Sequence, residues 1–387
     1  MKILWVNPSF LDYRVPLYSE MNKCLNNDFF LLYSKGRIPE RCHKKTTEQL
    51  GSNALYIEKE KRLKLGYKYT FANTGVSIPF PSGLYKKIKS VNPQLIIAEG
   101  FFQYTPWAAW YSFMHRIPLL IAYERTAHTE RNCPFYRRWY RKFINMFVSG
   151  YVVNGTLTKE YLISQGVKPE VIFTGAMCAD SVGLSNSVAS LSSQDKTLIS
   201  NEKIGGKSKG LVYIFVGQII NRKGVNYLLE AWGEHIKKHQ DDKLLIVGNG
   251  TLLDEYKKSF SHSSIIFTGG IDYSEIHKYY AISDVFVIPT LEDNWSLVVP
   301  EAMACGLPIA CSIYNGCHPE LVKEGVNGKT FDPLKQESIV EVLGYFHTKD
   351  IKDMGKNSIE IEKEYNPANV ASNIIKAIKY FLNKNQP

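Results

Sequence analysis

Short apolar runs alternate with longer amphipathic stretches along nearly the whole chain. In the first half, Lys2–Val6, Phe29–Tyr33, Gln94–Ala98, Pro118–Tyr123 and Tyr151–Val153 read as strands, with helices at stretches such as Leu84–Val91 and Tyr104–Met114. This alternation predicts a parallel sheet with helices on both faces. From Ser181 to Gly210 the pattern pauses in a segment rich in Ser, Gly, Lys and Asn, which reads as an interdomain linker. It then restarts. Strands are expected at Val212–Val216, Lys243–Val247, Ser264–Phe267, Val285–Pro289 and Pro308–Ala310. Helices are expected at Val225–Lys238, Leu252–Phe260, Ser274–Ile282, Pro300–Cys305 and His318–Glu324, and a last amphipathic helix near Pro367–Asn383. The result is two successive doubly wound units, 1–180 and 211–366, joined by a linker at 181–210. Ligands of such sheets bind at the carboxyl ends of the strands, so a cleft between the units is expected.

Length and composition agree with this division. A chain of 387 residues suits two domains, and 44% hydrophobic with 22% charged residues is ordinary globular composition. No apolar run approaches the ~20 residues that span a bilayer. The first residues lack the apolar region and cleavage site of a signal peptide. The seven cysteines are odd in number and show no C-x2-C spacing, which argues for reduced thiols over a zinc site or disulfide framework. A cytoplasmic protein is expected. Charge is uneven: residues 1–180 hold 25 Lys and Arg against 13 Asp and Glu, so the whole excess of positive charge lies in the first half. That half should meet something anionic.

Residues 285–332 carry the densest chemistry. The run Val285–Pro289 leads into Thr290-Leu291-Glu292-Asp293-Asn294-Trp295-Ser296 and then Leu297-Val298-Val299-Pro300-Glu301. Ser296 suits an N-cap, and Pro300 falls in the first turn, where its missing N–H is tolerated. A helix start exposed in this way offers N–H groups to an anion such as a diphosphate. Glu301, just inside the helix, either answers the helix dipole or accepts hydrogen bonds from two vicinal hydroxyls, as on a ribose. Arg222 and Lys223 lie in a Gly-bounded loop after a strand, either as a solvated pair or as partners of phosphates. Gly248 and Gly250 end another strand; such glycines permit close approach of a ligand or a neighbouring backbone, without making a full dinucleotide fingerprint.

The order of VYIFVGQIINRKGVNYLLEAW, LLIVGNGTLLDEYKK, IIFTGGIDYSEIHKYYAISDVFVIPT and EDNWSLVVPEAMACGLPIACSIYNGCHPELVKEGVNGKTFDP makes residues 212–332 resemble the nucleotide-sugar-binding domain of the retaining glycosyltransferases of family 4. The resemblance implies an α/β chain of GT-B fold, with two Rossmann-like doubly wound parallel-sheet domains facing a central cleft. It also implies that the terminal helix, 367–387, joins the first domain. The family's motif has two acids eight positions apart. The second falls on Glu301, implied to hold the ribose. The first falls on Asp293 in place of Glu, with Glu292 adjacent, and is implied to face the transferred sugar. The family's Gly-Phe-Gly is here Asn294-Trp295-Ser296, and amides of Trp295, Ser296, Leu297 and Val298 are implied to meet the diphosphate. The family's Arg–Lys pair falls on Gln218 and Lys223, and Arg222 stands next door to supply the charge that Gln218 lacks. Gly217, Gly248 and Gly250 are implied to line the donor, Gly270 and Ile271 to border the base, and Gly316 with Glu320 to lie near the sugar.

The first half matches only loosely, as the acceptor domain of this family does. Arg14 follows the first strand, Glu124 ends the run Pro118–Tyr123, and His128 lies four residues on. Each is a candidate to border sugar or acceptor, or else a structural or solvated residue. Pro134–Phe143 interleaves Arg137, Arg138, Arg141 and Lys142 with aromatics. It reads either as a polar helix face over a few core aromatics or as an interface with anionic lipid, which Lys86, Lys87, Lys89 and the basic stretch Lys59–Lys68 support. No nucleic-acid recognition motif is present. No Asp-x-Asp pair follows a strand at a suitable place, and Asp241-Asp242 reads as a surface turn, so no metal or other cofactor is expected beside the nucleotide-diphosphate sugar. The expected enzyme transfers a hexosyl group to a glycan or lipid-linked acceptor at the inner membrane face, in bacterial surface polysaccharide synthesis. The rivals are a non-catalytic GT-B partner subunit and a GT-B enzyme of other chemistry, such as a nucleotide-sugar epimerase.

Overall fold

The computed structural model describes residues 1–65, 76–179 and 181–384. The chain divides into two compact units, Met1–Asp180 with Tyr365–Pro387, and Ser181–Glu364.

The first unit is built on the strands β1 (Ile3–Val6), β2 (Phe29–Ser34), β3 (Ala54–Ile57), β6 (Leu95–Glu99), β7 (Leu119–Tyr123), β8 (Gly150–Val153) and β9 (Ile172–Phe173), in the order β3-β2-β1-β6-β7-β8-β9. Every pairing in this sheet is parallel. A separate antiparallel hairpin joins β4 (Lys61–Leu65) to β5 (Val76–Phe80). The helices are α1 (Val15–Cys24), α2 (Glu40–Leu50), α3 (Leu84–Val91), α4 (Thr105–His115), α5 (Phe135–Asn145) and α6 (Thr156–Ser164). Central strands of a parallel sheet are covered on both faces and so read as unbroken apolar runs; every residue of β1, β7 and β8 is buried. Of the basic stretch Lys59–Lys68, residues 66–68 lie outside the described residues.

The second unit begins with α7 (Ser181–Ala189) and α8 (Ser193–Ile204). The segment expected as a linker is therefore largely helical. Its Ser-rich composition conceals a capping box, in which Ser192 and Asp195 bond each other's backbone amides. The strands follow as β10 (Val212–Val216), β11 (Lys243–Val247), β12 (Ile265–Gly269), β13 (Val285–Ile288), β14 (Ile309–Ser312) and β15 (Gly328–Phe331), all parallel, in the order β12-β11-β10-β13-β14-β15. Between and after them run α9 (Val225–His235), α10 (Leu253–Ser259), α11 (Ile276–Ala281), α12 (Val298–Ala304), α13 (His318–Leu321), α14 (Gln336–Tyr345) and α15 (Ile351–Lys363).

The chain ends in α16 (Pro367–Lys384), which belongs to the first unit. Val370, Ala371, Ile374, Ala377, Ile378 and Phe381 recur at helical spacing and are buried in the same core as β1 and α1. A Cβ on Gly150 would fall 2.0 Å from the Phe381 ring, so glycine there lets the helix close on β8. In each sheet the strand order reverses beside the first strand, between β1 and β6 and between β10 and β13. Such reversals open crevices at the carboxyl ends of the strands. No described helix is long and apolar enough to cross a membrane.

Candidate functional site

In the second unit, two loops leave adjacent strands at the reversal. One follows β10 through Gly217 to Gly224, and the other follows β13 through Pro289 to Leu297. Gly224 lets them touch: its φ is +64°, and a Cβ there would fall 2.2 Å from the Pro289 carbonyl oxygen. The Leu291 N–H donates to the Arg222 carbonyl at 2.9 Å. Side chains then meet across the junction. Lys223 Nζ lies 2.6 Å from Asp293 Oδ2, and Arg222 Nη1 lies 3.5 Å from the same oxygen while donating to the Glu292 carbonyl at 3.0 Å. Burial pushes the Asp293 carboxyl up, but Lys223, helped by Ser296 and Arg222, outweighs it and holds the group below its ordinary range. Asp293 is the acid that meets the two cations, and Arg222 stands beside Lys223. Gln218 is exposed one loop turn away.

The glycines at the other strand ends lace the loops together. Gly217 N–H donates to Val247 at 3.0 Å, Gly248 N–H to Gly269 at 2.9 Å and Ile219 N–H to Asn249 at 2.9 Å. A Cβ on Gly248 would fall 1.8 Å from the Gly217 oxygen, and one on Gly250 2.2 Å from the Ile219 oxygen. The G-x-G thus has a packing reason that its spacing alone does not show. Gly270 and Ile271 follow β12 and lead into a turn at Tyr273–Glu275. From that turn the Tyr273 hydroxyl donates to Glu301 Oε1 at 3.3 Å. Glu301 is buried in α12, and its charge adds to burial in pushing the Tyr280 phenol up. The sequence reading missed Tyr273; its signal was its place two residues beyond Ile271.

Gly316 donates its N–H to the Asp293 carbonyl at 2.9 Å, and Glu320 follows within the short α13. Two of the four loop amides have partners within the protein. The Trp295 N–H donates to Asp293 Oδ1 at 3.2 Å and the Ser296 N–H to Asn315 Oδ1 at 3.3 Å, so both are engaged within the protein. Ser296 is not the N-cap: α12 starts at Val298 after Leu297, with no side-chain cap bond. The reason is local, because Asp293 and Asn315 capture the loop that would have brought Ser296 to the helix start.

The first unit has a matching constellation at its own reversal. Arg14, just before α1, places Nη2 3.1 Å from Glu99 Oε1 at the end of β6, and Trp5 Nε1 donates to Glu99 Oε2 at 3.1 Å. Burial raises the Glu99 carboxyl, Arg14 lowers it, and nearby Glu124 raises it further, for a net rise. For Arg14, burial works against the charge, and Glu99 together with Tyr13, Tyr18 and Glu124 more than restores it. Arg14 and Glu124 therefore share one electrostatic cluster whose centre, Glu99, the sequence reading passed over because the apolar run seemed complete at Ala98. His128 sits farther along, in the turn whose carbonyl accepts the Arg131 amide.

The basic helix divides its cations, with Arg138 and Lys142 exposed and the other two inside. Arg137 and Arg141 are buried, and its aromatic residues Phe135, Tyr136, Trp139 and Phe143 are exposed. Arg141 Nη1 lies 2.6 Å from Glu130 Oε2, and both guanidinium groups lie over the Phe102 ring. An acid and aromatic faces supplied by other segments hold the arginines inside. Asp242 is likewise no surface residue. It is buried at the opposite end of the second sheet, accepting the Leu211 amide at 2.8 Å, with His235 Nε2 and His347 Nε2 each 2.8 Å from Oδ2. The three are close enough to hold a metal ion, although the two imidazole bonds to one carboxylate oxygen already account for their closeness.

Residues 198–361 match the family model for glycosyl transferases group 1. An uncharacterized glycosyltransferase of Methanocaldococcus jannaschii is 32% identical over 141 residues, 35% of this chain and 35% of that protein. The alpha-monoglucosyldiacylglycerol synthase of Acholeplasma laidlawii is 32% identical over 146 residues, 37% of this chain and 36% of that protein. The chain thus spans little more than a third of the length of these curated relatives. The crystal structure of Anabaena HepE in complex with UDP superposes with a TM-score of 0.73 at 17% identity, covering 98% of this chain and 100% of that one. This likeness shows the fold, GT-B, with two Rossmann-like units.

Proposed function

We propose that this protein is a retaining glycosyltransferase of family 4 that moves a hexosyl group from a nucleotide-diphosphate sugar to a glycan or lipid-linked acceptor, without a metal ion. The observation that carries the reading is the junction of Lys223, Arg222 and Asp293 at the strand reversal of the segment that matches the family model. Two cations against one carboxylate favour an anion there. A departing diphosphate gains most from them as its charge develops, which is how such groups accelerate transfer. Glu301, reached by Tyr273 from the loop after β12, is assigned to the ribose hydroxyls. Arg14, Glu99 and Glu124 are assigned to the acceptor side. Similarity to the Anabaena protein solved with UDP supports a uridine donor, and similarity to a glycolipid synthase supports a lipid-linked acceptor. A role in bacterial surface polysaccharide synthesis, at the cytoplasmic face of the membrane, follows from that acceptor.

A thermal-shift screen of nucleotide sugars tests the donor: a ligand at 100 times its Kd adds about 2.7 kcal/mol of stability. Transfer to a polyprenyl-linked glycan with the best donor, followed by NMR of the new linkage, tests the reaction. The expected product keeps the donor's anomeric configuration, and transfer survives EDTA. Inversion, or loss of transfer to EDTA with recovery on adding magnesium, overturns the mechanism. One observation favours a second reading: Lys223 is already engaged by Asp293, and Gln218 brings no charge. A non-catalytic partner subunit would bind the donor in the screen and transfer nothing.

A further inference from the structure

Helix α5 presents an apolar stripe outward. Phe135, Trp139, Phe143 and the capping residue Met146 follow at spacings of four, four and three, and are 71%, 72%, 56% and 77% exposed. Trp110 and Phe113 of α4 continue the surface, because Phe147 bridges the helices with its ring centroid 5.5 Å from both Phe113 and Phe143. A contiguous apolar patch of this kind marks a docking site.

The charge around it selects the occupant. Neither α4 nor α5 contains an Asp or Glu, and none lies in the segments 116–118 and 146–149 that follow them. Arg138 and Lys142 are exposed along α5 and Arg116 at the end of α4, and among the described residues none of the three is in an ion pair. A second copy docked on this face would set cations against cations. An apolar stripe rich in Trp and Phe, fringed by Arg and Lys, suits the headgroup boundary of an anionic bilayer. We propose that the α4–α5 face docks this protein on an anionic lipid surface, with Trp110, Phe113, Trp139 and Phe143 entering the interface and Arg116, Arg138 and Lys142 at the level of the phosphates. This rests on the lipid-linked acceptor of the proposed function and deepens it, with attachment by insertion of apolar side chains as well as by charge. Part of the binding then survives high salt, which screens exposed charges within about 3 Å at 1 M.

Flotation with vesicles of equal parts phosphatidylglycerol and phosphatidylcholine, without nucleotide sugar, tests it. The parent floats at low salt and a fraction still floats at 1 M salt. Trp139→Ser/Phe143→Ser loses about tenfold or more in partitioning, since each large apolar side chain withdrawn from the interface removes a transfer term of that order. Arg138→Gln/Lys142→Gln loses the preference for anionic over pure phosphatidylcholine vesicles and keeps the salt-resistant part. All of these positions are exposed, so the variants should keep the parent's melting temperature and donor-induced thermal shift. Equal flotation of Trp139→Ser/Phe143→Ser and the parent overturns the proposal. So does a parent that ignores vesicles but sediments as a dimer that this variant dissociates. Vesicle binding that persists in a chain with no donor-induced shift would overturn the transfer reading and leave this one standing.

Discussion

Lys223 Nζ and Asp293 Oδ2 lie 2.6 Å apart although they come from loops after different strands, β10 and β13. The first unit repeats the arrangement: Arg14 follows β1, Glu99 ends β6, and they pair at 3.1 Å across the equivalent reversal. In each unit an ion pair ties together the chain segments at the carboxyl ends of two adjacent strands, at the place where a doubly wound sheet opens.

Lys223→Ala should lower kcat by about 10²-fold or more, the size of one lost oxyanion donor. It also leaves Asp293 with Arg222 at 3.5 Å as its remaining cation, so its carboxyl should rise. Asp293→Asn should reduce transfer, and Asp293→Glu should alter the ranking of donors if this acid reads the sugar. Glu292→Gln should be milder, because the backbone carbonyl of Glu292 makes the contact with Arg222. Steady-state kinetics with the donor found by thermal shift decide the matter. Transfer within threefold of the parent for both Lys223→Ala and Asp293→Asn would remove this site from the mechanism.

Glu301→Gln should raise the donor KM more than it lowers kcat, because a ribose contact is made in ground and transition states alike. Tyr273→Phe removes the 3.3 Å bond to the same carboxylate and should shift KM in the same direction by less. A fall in kcat at unchanged KM for Glu301→Gln would place the residue at the reacting centre instead.

The central strands were legible because burial on both faces leaves unbroken apolar runs, as in Val212–Val216 and Lys243–Val247. Of the edge strands only β12 was, at Ser264–Phe267: β15 is Gly-Lys-Thr-Phe, and β9 has only two residues. Composition misled at 181–204, where Ser and Asn are as compatible with short capped helices as with a linker. Periodicity could not orient α5. Its cations and its aromatics both recur at helical spacing, and Glu130 and Phe102, remote in sequence, decide which stripe goes inside. At the site, single residues were readable from strand ends and glycines. Their pairings, Lys223 with Asp293 and Tyr273 with Glu301, depend on which strands are neighbours.

Gly248→Ala tests whether the G-x-G is a packing device. The new Cβ would meet the Gly217 oxygen at 1.8 Å, at a residue with φ of +145°. Forced overpacking of this kind costs roughly 1–3 kcal/mol. Melting temperature should fall, and donor affinity should fall with it because the Gly217 loop is displaced. An unchanged melting temperature with lost donor affinity would mean that the glycine serves the ligand alone.

Asp242 supplies a pH signature far from the proposed chemistry. Burial pushes its carboxyl up, but hydrogen bonds with His235 and His347 and the Leu211 amide outweigh burial, so the group is held below its ordinary value. His239, stacked 3.8 Å over His347, is itself pushed down by burial and by the charges of His347 and His235. A carboxyl lower in the folded than in the unfolded chain, whose value is about 3.9, adds stability that is fully present above that pH. The stability disappears as pH falls through the folded value. Asp242→Asn keeps the shape and removes the charge, leaving the buried His235 imidazole and its partner His347 with a weaker acceptor, at a cost of about 1–3 kcal/mol. At pH 7 its melting temperature should lie several degrees below the parent's, since 1 kcal/mol shifts a domain of this size by about 2–4 °C. On acidification below about pH 4 the two melting curves should converge, because the parent loses the same charge. Melting temperatures of both proteins from neutral to acid pH check this. A gap that stays constant across the range would show that the carboxylate's charge is not what holds the His235–Asp242–His347 cluster.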